Sequence, residues 1–258
     1  MGGHFWKPSG CCFCSLACEK SFAGTGKIRY VYTMTNRNIV IFDLDETLTQ
    51  KGTWGRFVVG SIRGKPLKWP PFVVRTLIAQ IRYMLGHVPR SYVKETMMCC
   101  TLHGHSRQEV EAMAEIFAQN EVATGLRAKA LHVLERHKNA GDRILIASAA
   151  VDLIVDPIAK RLGIDEVVCT KMAYCQGGYL EKKLGSANCY GQGKLDMVKS
   201  YLAQDADFKR DHTHITMYSD SRSDLAILCW ADVGIAVHPS PRLAKCVDEH
   251  GFEVQTWD

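Results

Sequence analysis

Ile39-Val40-Ile41-Phe42-Asp43-Leu44-Asp45-Glu46-Thr47-Leu48-Thr49 is the stretch on which the reading of this chain turns. Its first four residues are apolar and β-branched or aromatic, which reads as a strand buried on both faces. The chain then turns polar where that strand ends. Asp43 and Asp45 therefore stand at the carboxyl end of a strand, the edge at which ligands bind in an open α/β sheet. Because side chains alternate along a strand, the two carboxylates start from one side while Leu44 points to the other. Carboxylates this close repel each other, and either a divalent cation or a retained proton relieves the repulsion. Taken alone, the same residues also suit a polar turn whose Asp and Thr cap a following helix.

Working outward, 258 residues with 47% hydrophobic and 23% charged side chains make an ordinary globular composition, long enough for one large domain plus an insertion. A formal charge of +5 suits anionic substrates without indicating nucleic acid. No stretch reaches the ~18 apolar residues of a spanning helix. Of the 11 cysteines, Cys11, Cys12, Cys14 and Cys18 crowd the N-terminus and the others scatter. That distribution fits reduced thiols in the cytoplasm better than a disulfide framework. Four ligands so close together, with no distant partner, make a poor zinc geometry. The segment also lacks the apolar core of a secretory signal. Residues 1–33 are accordingly expected to be a disordered extension, with Met34, just ahead of the first strand, as the natural start.

Residues 51–137 read almost entirely as helix. Pro66, Pro70 and Pro71 lead into a helix over 72–85 that Gly86 and Pro89 stop. Its stripe of Val74, Leu77, Ile78, Ile81 and Leu85 suits burial against neighbouring helices, which is the reading we expect. Lys65, Lys68, Arg75, Arg82 and Arg90 lie around it, so the alternative is an interfacial helix resting on an anionic membrane. His103 and His105 fall in a break where they can face a substrate from above. Ser106 and Glu109 form a capping box for a helix over 107–119, and a helix over 125–139 leads back to the core.

A second strand, 142–147, ends in Ser148-Ala149-Ala150, where a hydroxyl and free backbone N–H groups can close on a phosphate oxygen. A helix over 151–162, a strand over 166–170 and a hairpin at Gly177-Gly178 follow. Lys194 opens a helix that runs through Leu202. The strand 215–218 then runs into Ser219-Asp220-Ser221-Arg222-Ser223-Asp224. With Asp43 and the main-chain carbonyl of Asp45, Asp220 and Asp224 offer the hard oxygen ligands that Mg²⁺ takes.

Asp43-Leu44-Asp45-Glu46-Thr47 resembles the first motif, Asp-x-Asp-x-Thr, of the haloacid dehalogenase superfamily of phosphatases. Ser148, Lys194 and the pair Asp220 and Asp224 resemble its second, third and fourth motifs, in that order. The whole of 39–258, including Val233-Gly234-Ile235-Ala236-Val237 and Pro239-Ser240-Pro241-Arg242-Leu243, is similar to the phosphoserine-phosphatase-like branch. The resemblance implies a doubly wound, mainly parallel α/β core made of 34–50 and 138–258, with 51–137 inserted as a helical cap. It implies Asp43 as nucleophile and Asp45 as acid and base. Ser148, Ala149 and Lys194 would hold the phosphate, with Thr47 orienting the first loop. Asp43, Asp45, Asp220 and Asp224 would hold Mg²⁺.

The reaction so implied is hydrolysis of a phosphomonoester on a small metabolite through an aspartyl phosphate. Phosphoserine phosphatases carry a glutamate soon after the first motif, whereas this chain has Gln50-Lys51-Gly52-Thr53-Trp54, which argues against phosphoserine. Thr101 to Ser106 and the basic helix before it are similar to bacterial phosphatidylglycerophosphate phosphatases. A lipid phosphate is therefore the alternative substrate, with the protein in the cytoplasm or peripheral to the inner face of the membrane. A receiver domain uses comparable residues but needs only ~100–150 residues and leaves no room for the insertion. The intact acidic set argues against a binding-only relative.

Overall fold

The computed structural model describes residues 37–258 and, upstream, two short antiparallel strands, β1 (Lys20–Ser21) and β2 (Arg29–Tyr30). These strands belong to a unit of residues 1–36, and residues 37–258 form the other. Apart from that strand pair, the expected extension at 1–33, its cysteine cluster and the start at Met34 lie outside the described residues.

The main unit begins with β3 (Arg37–Phe42). Helices α1 (Thr53–Ser61), α2 (Trp69–Met84), α3 (Arg90–Thr101), α4 (Arg107–Asn120) and α5 (Ala130–Asn139) precede the next strand, β4 (Arg143–Val151). After α6 (Asp152–Arg161) come β5 (Glu166–Thr170), β6 (Met172–Tyr174), β7 (Leu180–Leu184) and α7 (Gln192–Leu202). The chain closes with β8 (Thr213–Ser219), α8 (Leu225–Trp230), β9 (Val233–Val237), α9 (Pro241–Ala244), α10 (Val247–His250) and β10 (Glu253–Gln255).

Six of these strands form one parallel sheet in the order β10-β9-β8-β3-β4-β5, while β6 and β7 form the hairpin around Gly177 and Gly178. β3 is central because it is apolar on both faces. Val40 and Phe42 enter the core on one side of the sheet, and Ile39 and Ile41 enter the core on the other. From β3 the chain builds outward through β4 and β5, then returns to build through β8, β9 and β10. The order thus reverses between β3 and β8, and a crevice opens beyond their carboxyl ends.

The helical insertion hangs from a paired neck. Gln50 N–H donates to the Gly125 carbonyl at 2.8 Å, Arg127 N–H donates to Leu48 O at 2.9 Å, and Thr49 stands opposite Leu126. This pairing holds Leu126 extended, so the helix expected from residue 125 starts only at Ala130. A Cβ at Gly125 would overlap the Glu121 carboxylate, which is buried and ion-paired with Arg56. The capping box of α4 forms as its sequence requires, with the Glu109 carboxylate accepting from Ser106 N–H at 2.7 Å.

α2 departs from expectation. Phe72 and Ala79 are buried and Thr76 and Tyr83 half-buried, on the side that packs against α3. Val74, Leu77, Ile78, Ile81 and Leu85 are exposed and do not enter the core. The helix is apolar on two sides, and α3 takes the side where Ala79 permits close approach.

Candidate active site

Asp43 N–H donates to Tyr218 O at 2.9 Å, carrying the ladder between β3 and β8 one residue further and fixing Asp43 at the sheet edge. Lys194, in the first turn of α7, reaches the same point. Its Nζ lies 2.9 Å from Asp43 Oδ1 and 2.7 Å from Asp224 Oδ2, with all three side chains buried. Ser219 Oγ donates to that Asp224 oxygen at 2.7 Å. Thr47 ties the loop after β3 to the loop after β8. Its hydroxyl accepts from Asp220 N–H at 2.9 Å and donates to Asp220 Oδ1 at 3.1 Å.

Ser148 and Ala149 complete the floor. β4 runs past Ser148 to Val151, but its pairing with β5 slips: Ser148 stands opposite Cys169 and Val151 opposite Thr170. Ala149 and Ala150 therefore bulge from the ladder, and Ala150 N–H donates to Ser148 Oγ at 3.1 Å. A bulge of this kind re-aims the backbone beside a site.

Asp45 sits differently from its neighbour. Its Oδ1 accepts from Thr53 N–H at 2.8 Å and from Thr53 Oγ1 at 2.7 Å, so the carboxylate reaches toward the start of α1. The reversal is made at Glu46, whose φ of 61° is uncommon for any residue but glycine. Arg127 holds this turn by donating to Glu46 O from Nε at 3.1 Å and from Nη2 at 2.8 Å. Such strain persists only where surrounding contacts enforce it, and it clusters at functional sites.

Burial pushes the Asp43 carboxyl well above the usual carboxylate range; Lys194 opposes this, while Asp224 and Asp220 add to it. Burial also pushes Asp220 up to about 6, against the hydrogen bond from Thr47 and with help from Glu46 and Asp224. For Lys194, burial disfavours the charge, but Asp224 and Asp43 outweigh it and keep the ammonium charged beyond its ordinary range. Asp43 and Asp224 thus share one ammonium, with a third carboxylate, Asp220, beside them.

A divalent cation fits that imbalance, and the donors are the hard oxygens Mg²⁺ takes. Asp224 Oδ1 is buried without a hydrogen-bond partner, as a ligand oxygen awaiting its ion would be. As the side chains stand, no three carboxylate, imidazole or thiol groups among the described residues converge closely enough to hold an ion.

Over this floor lies a cavity of about 690 Å³, roofed by Trp54 from α1, Gln80 and Tyr83 from α2, and Lys94 from α3. Lys94 was not singled out in the sequence. Its buried Nζ donates to the Ala149 carbonyl and, at 2.8 Å, to Asn188 Oδ1. Burial lowers its pKa to about 8, with Asp45 resisting and Arg90 assisting. The available signal was periodicity, since Lys94 shares the buried face of α3 with Met98 and Thr101. Trp54 Nε1, by contrast, is buried with no acceptor. His103 and His105 are not in the cavity; they lie in the turn between α3 and α4, where His105 Nδ1 is 2.9 Å from Leu102 O.

The family model of haloacid dehalogenase-like hydrolases matches residues 40–228, which span every one of these site residues. The chain belongs to that family. Among the relatives of this hydrolase is a histidinol-phosphatase of Neisseria meningitidis, 21% identical over 84% of this chain and 98% of the relative. Another is a phosphoserine phosphatase of Mycobacterium tuberculosis, 25% identical over 83% of this chain and 69% of the relative. A crystal structure of a Bordetella pertussis protein of unknown function matches with a TM-score of 0.76 at 26% identity, over 85% of this chain and 98% of that one. A substrate-bound phosphoserine phosphatase shares the fold at a TM-score of 0.60 and 15% identity, covering 86% and 94% of the two chains.

Proposed function

We propose that this hydrolase is a phosphatase that cleaves a phosphomonoester of a small metabolite through an aspartyl phosphate on Asp43, with Mg²⁺ as cofactor. The observation that carries the reading is the buried Lys194, paired at once with Asp43 and Asp224 at the carboxyl edge of the sheet. Asp43 is the group able to attack phosphorus, held in place by Lys194. Ser148 Oγ and the backbone around Ala149 receive phosphate oxygens. Asp45 delivers a proton to the departing alcohol and then takes one from the water that hydrolyses the acyl phosphate. Its hydrogen bonds to Thr53 hold that carboxyl at the boundary between core and insertion. Asp43, Asp220, Asp224 and the main-chain carbonyl of Asp45 would hold the Mg²⁺, which supplies charge neutralisation on the transferring phosphoryl group. Hydrolysis of p-nitrophenyl phosphate should cease with a chelator and return with Mg²⁺. Activity that survives full chelation would remove the metal from the account.

Lys94 gives a pH signature. Above about pH 8 its ammonium is lost from the cavity roof, so KM for a phosphate ester should rise through that pH. In Lys94→Gln the rise should vanish and KM should be high throughout. A wild-type KM that stays flat from pH 7 to about 9 would remove Lys94 from substrate binding.

A second reading, hydrolysis of a phosphate on a lipid head group, is favoured by one observation. Gln80 and Tyr83 wall the cavity from α2, the helix whose other side is apolar and open. Phosphate release from phosphatidylglycerophosphate, compared with polyol, sugar and amino-acid phosphates, separates the two.

A further inference from the structure

We propose that the outward face of α2 is a docking surface for an anionic lipid bilayer. Leu77, Ile78, Ile81 and Leu85 each leave between 47% and 63% of their surface exposed. At about 100° per residue, Val73, Val74 and Met84 complete a continuous apolar sector on the order of 140° wide. It points directly away from the side packed on α3, and among the described residues nothing covers it. Leu67, just ahead of the helix, is 90% exposed. Scattered exposed apolar residues need no explanation, but a contiguous face does.

Charge selects the occupant. Between Glu46 and Glu95 the sequence has no acidic residue, while Arg63, Lys65, Lys68, Arg75, Arg82 and Arg90 lie in α2 or flank it. Arg75 and Arg82, seven residues and about two turns apart, edge the apolar sector on one side. No carboxylate among the described residues pairs with either; Arg82 lies over the Tyr92 ring, 5.5 Å from its centroid. In a twofold dimer the same patch would face itself, setting these arginines against their own copies. An interfacial helix has instead this pattern, an apolar face sunk at the head-group boundary with basic side chains beside it. No helix among the described residues is long and apolar enough to cross a membrane, so the contact is peripheral. Docking deepens the lipid-phosphate reading, because Gln80 and Tyr83 would bring the cavity to the bilayer surface, but it is measured without any hydrolysis.

The test is co-sedimentation of the full chain with phosphatidylcholine vesicles containing phosphatidylglycerol, against vesicles of phosphatidylcholine alone. Binding is expected to the anionic vesicles and to weaken from about 0.1 M to about 1 M salt, as the screening length falls from roughly 10 Å to 3 Å. R75Q/R82Q should bind roughly 30-fold more weakly, from about 1 kcal/mol per basic residue. L77Q/I81Q should bind at least about tenfold more weakly. Both variants should keep wild-type hydrolysis of p-nitrophenyl phosphate, since none of the four residues lines the cavity. A wild-type chain that ignores anionic vesicles at low salt overturns the proposal. So does a lipid-free dimer, seen by sedimentation velocity, that L77Q/I81Q splits into monomers, since the face would then join two copies. If the wild type hydrolyses no phosphate ester at all, the phosphatase reading fails while vesicle binding still decides this one.

Discussion

Asp43→Asn should reduce turnover of p-nitrophenyl phosphate on the order of 10⁴-fold or more, the scale seen when a covalent nucleophile is removed. Acid quenching of the wild type during turnover should trap a phosphorylated protein, and the variant should yield none. The fold should survive the change. Asp43 is buried beside Asp224 and Asp220, both of which push its pKa up, so an uncharged amide there relieves repulsion. Lys194 keeps its 2.7 Å partner in Asp224. A variant that still turns over would end the assignment of Asp43, and a wild-type melt in an inactive variant would show that the loss is not misfolding.

Lys194→Met should damage stability and chemistry together. Removing one member of a buried ion pair costs about 3–5 kcal/mol, since the partner charge is left without compensation. In a domain of this size that corresponds to a fall in Tm of roughly 10 °C. The pH dependence carries a sign. In the wild type, partners raise the folded-state pKa of Lys194, so its contribution is fully present below the unfolded value and is lost only as pH rises through the folded one, beyond the neutral range. In the variant, Asp43 loses the charge that opposes the effect of its burial and must fold as a neutral acid or an unpaired anion. The deficit should be smallest near pH 4, where carboxylates readily hold protons, and widen toward neutrality. A thermal melt series across pH checks this, and an unchanged Tm at pH 7 would show that the ion pair does not form.

Asp43, Ser148 and Asp220 were readable in the sequence because each sits at the end of an apolar run. Phe42 to Asp43, Ala147 to Ser148 and Tyr218 to Asp220 each mark a strand running out of core, and parallel strands bring such ends to one edge. The direction of Asp45 was not readable, since it depends on a left-handed turn at Glu46 that Arg127 stabilises from far along the chain. Lys94 escaped because a single lysine in a helix carries no spacing of its own. The stripe of α2 was legible as a stripe, but periodicity says only that a helix has an apolar side. Whether Leu77 and Ile81 meet a neighbouring helix depends on which side Ala79 lets α3 approach.

The paired neck at residues 48–50 and 125–127 closes the insertion at its base. Chain leaves and re-enters the sheet at one point, already joined by hydrogen bonds, and beyond it α4 packs on α6 and α3 on β7. Closure entropy grows only with the logarithm of loop length, so lengthening, shortening or exchanging what lies beyond the neck costs little through closure itself, and the cost sits in its packing on α6 and β7. Asp43, Lys194 and Asp220 would stay where they are through any such exchange. What the enzyme admits and where it works can diverge in descent, while the bond it breaks stays the same.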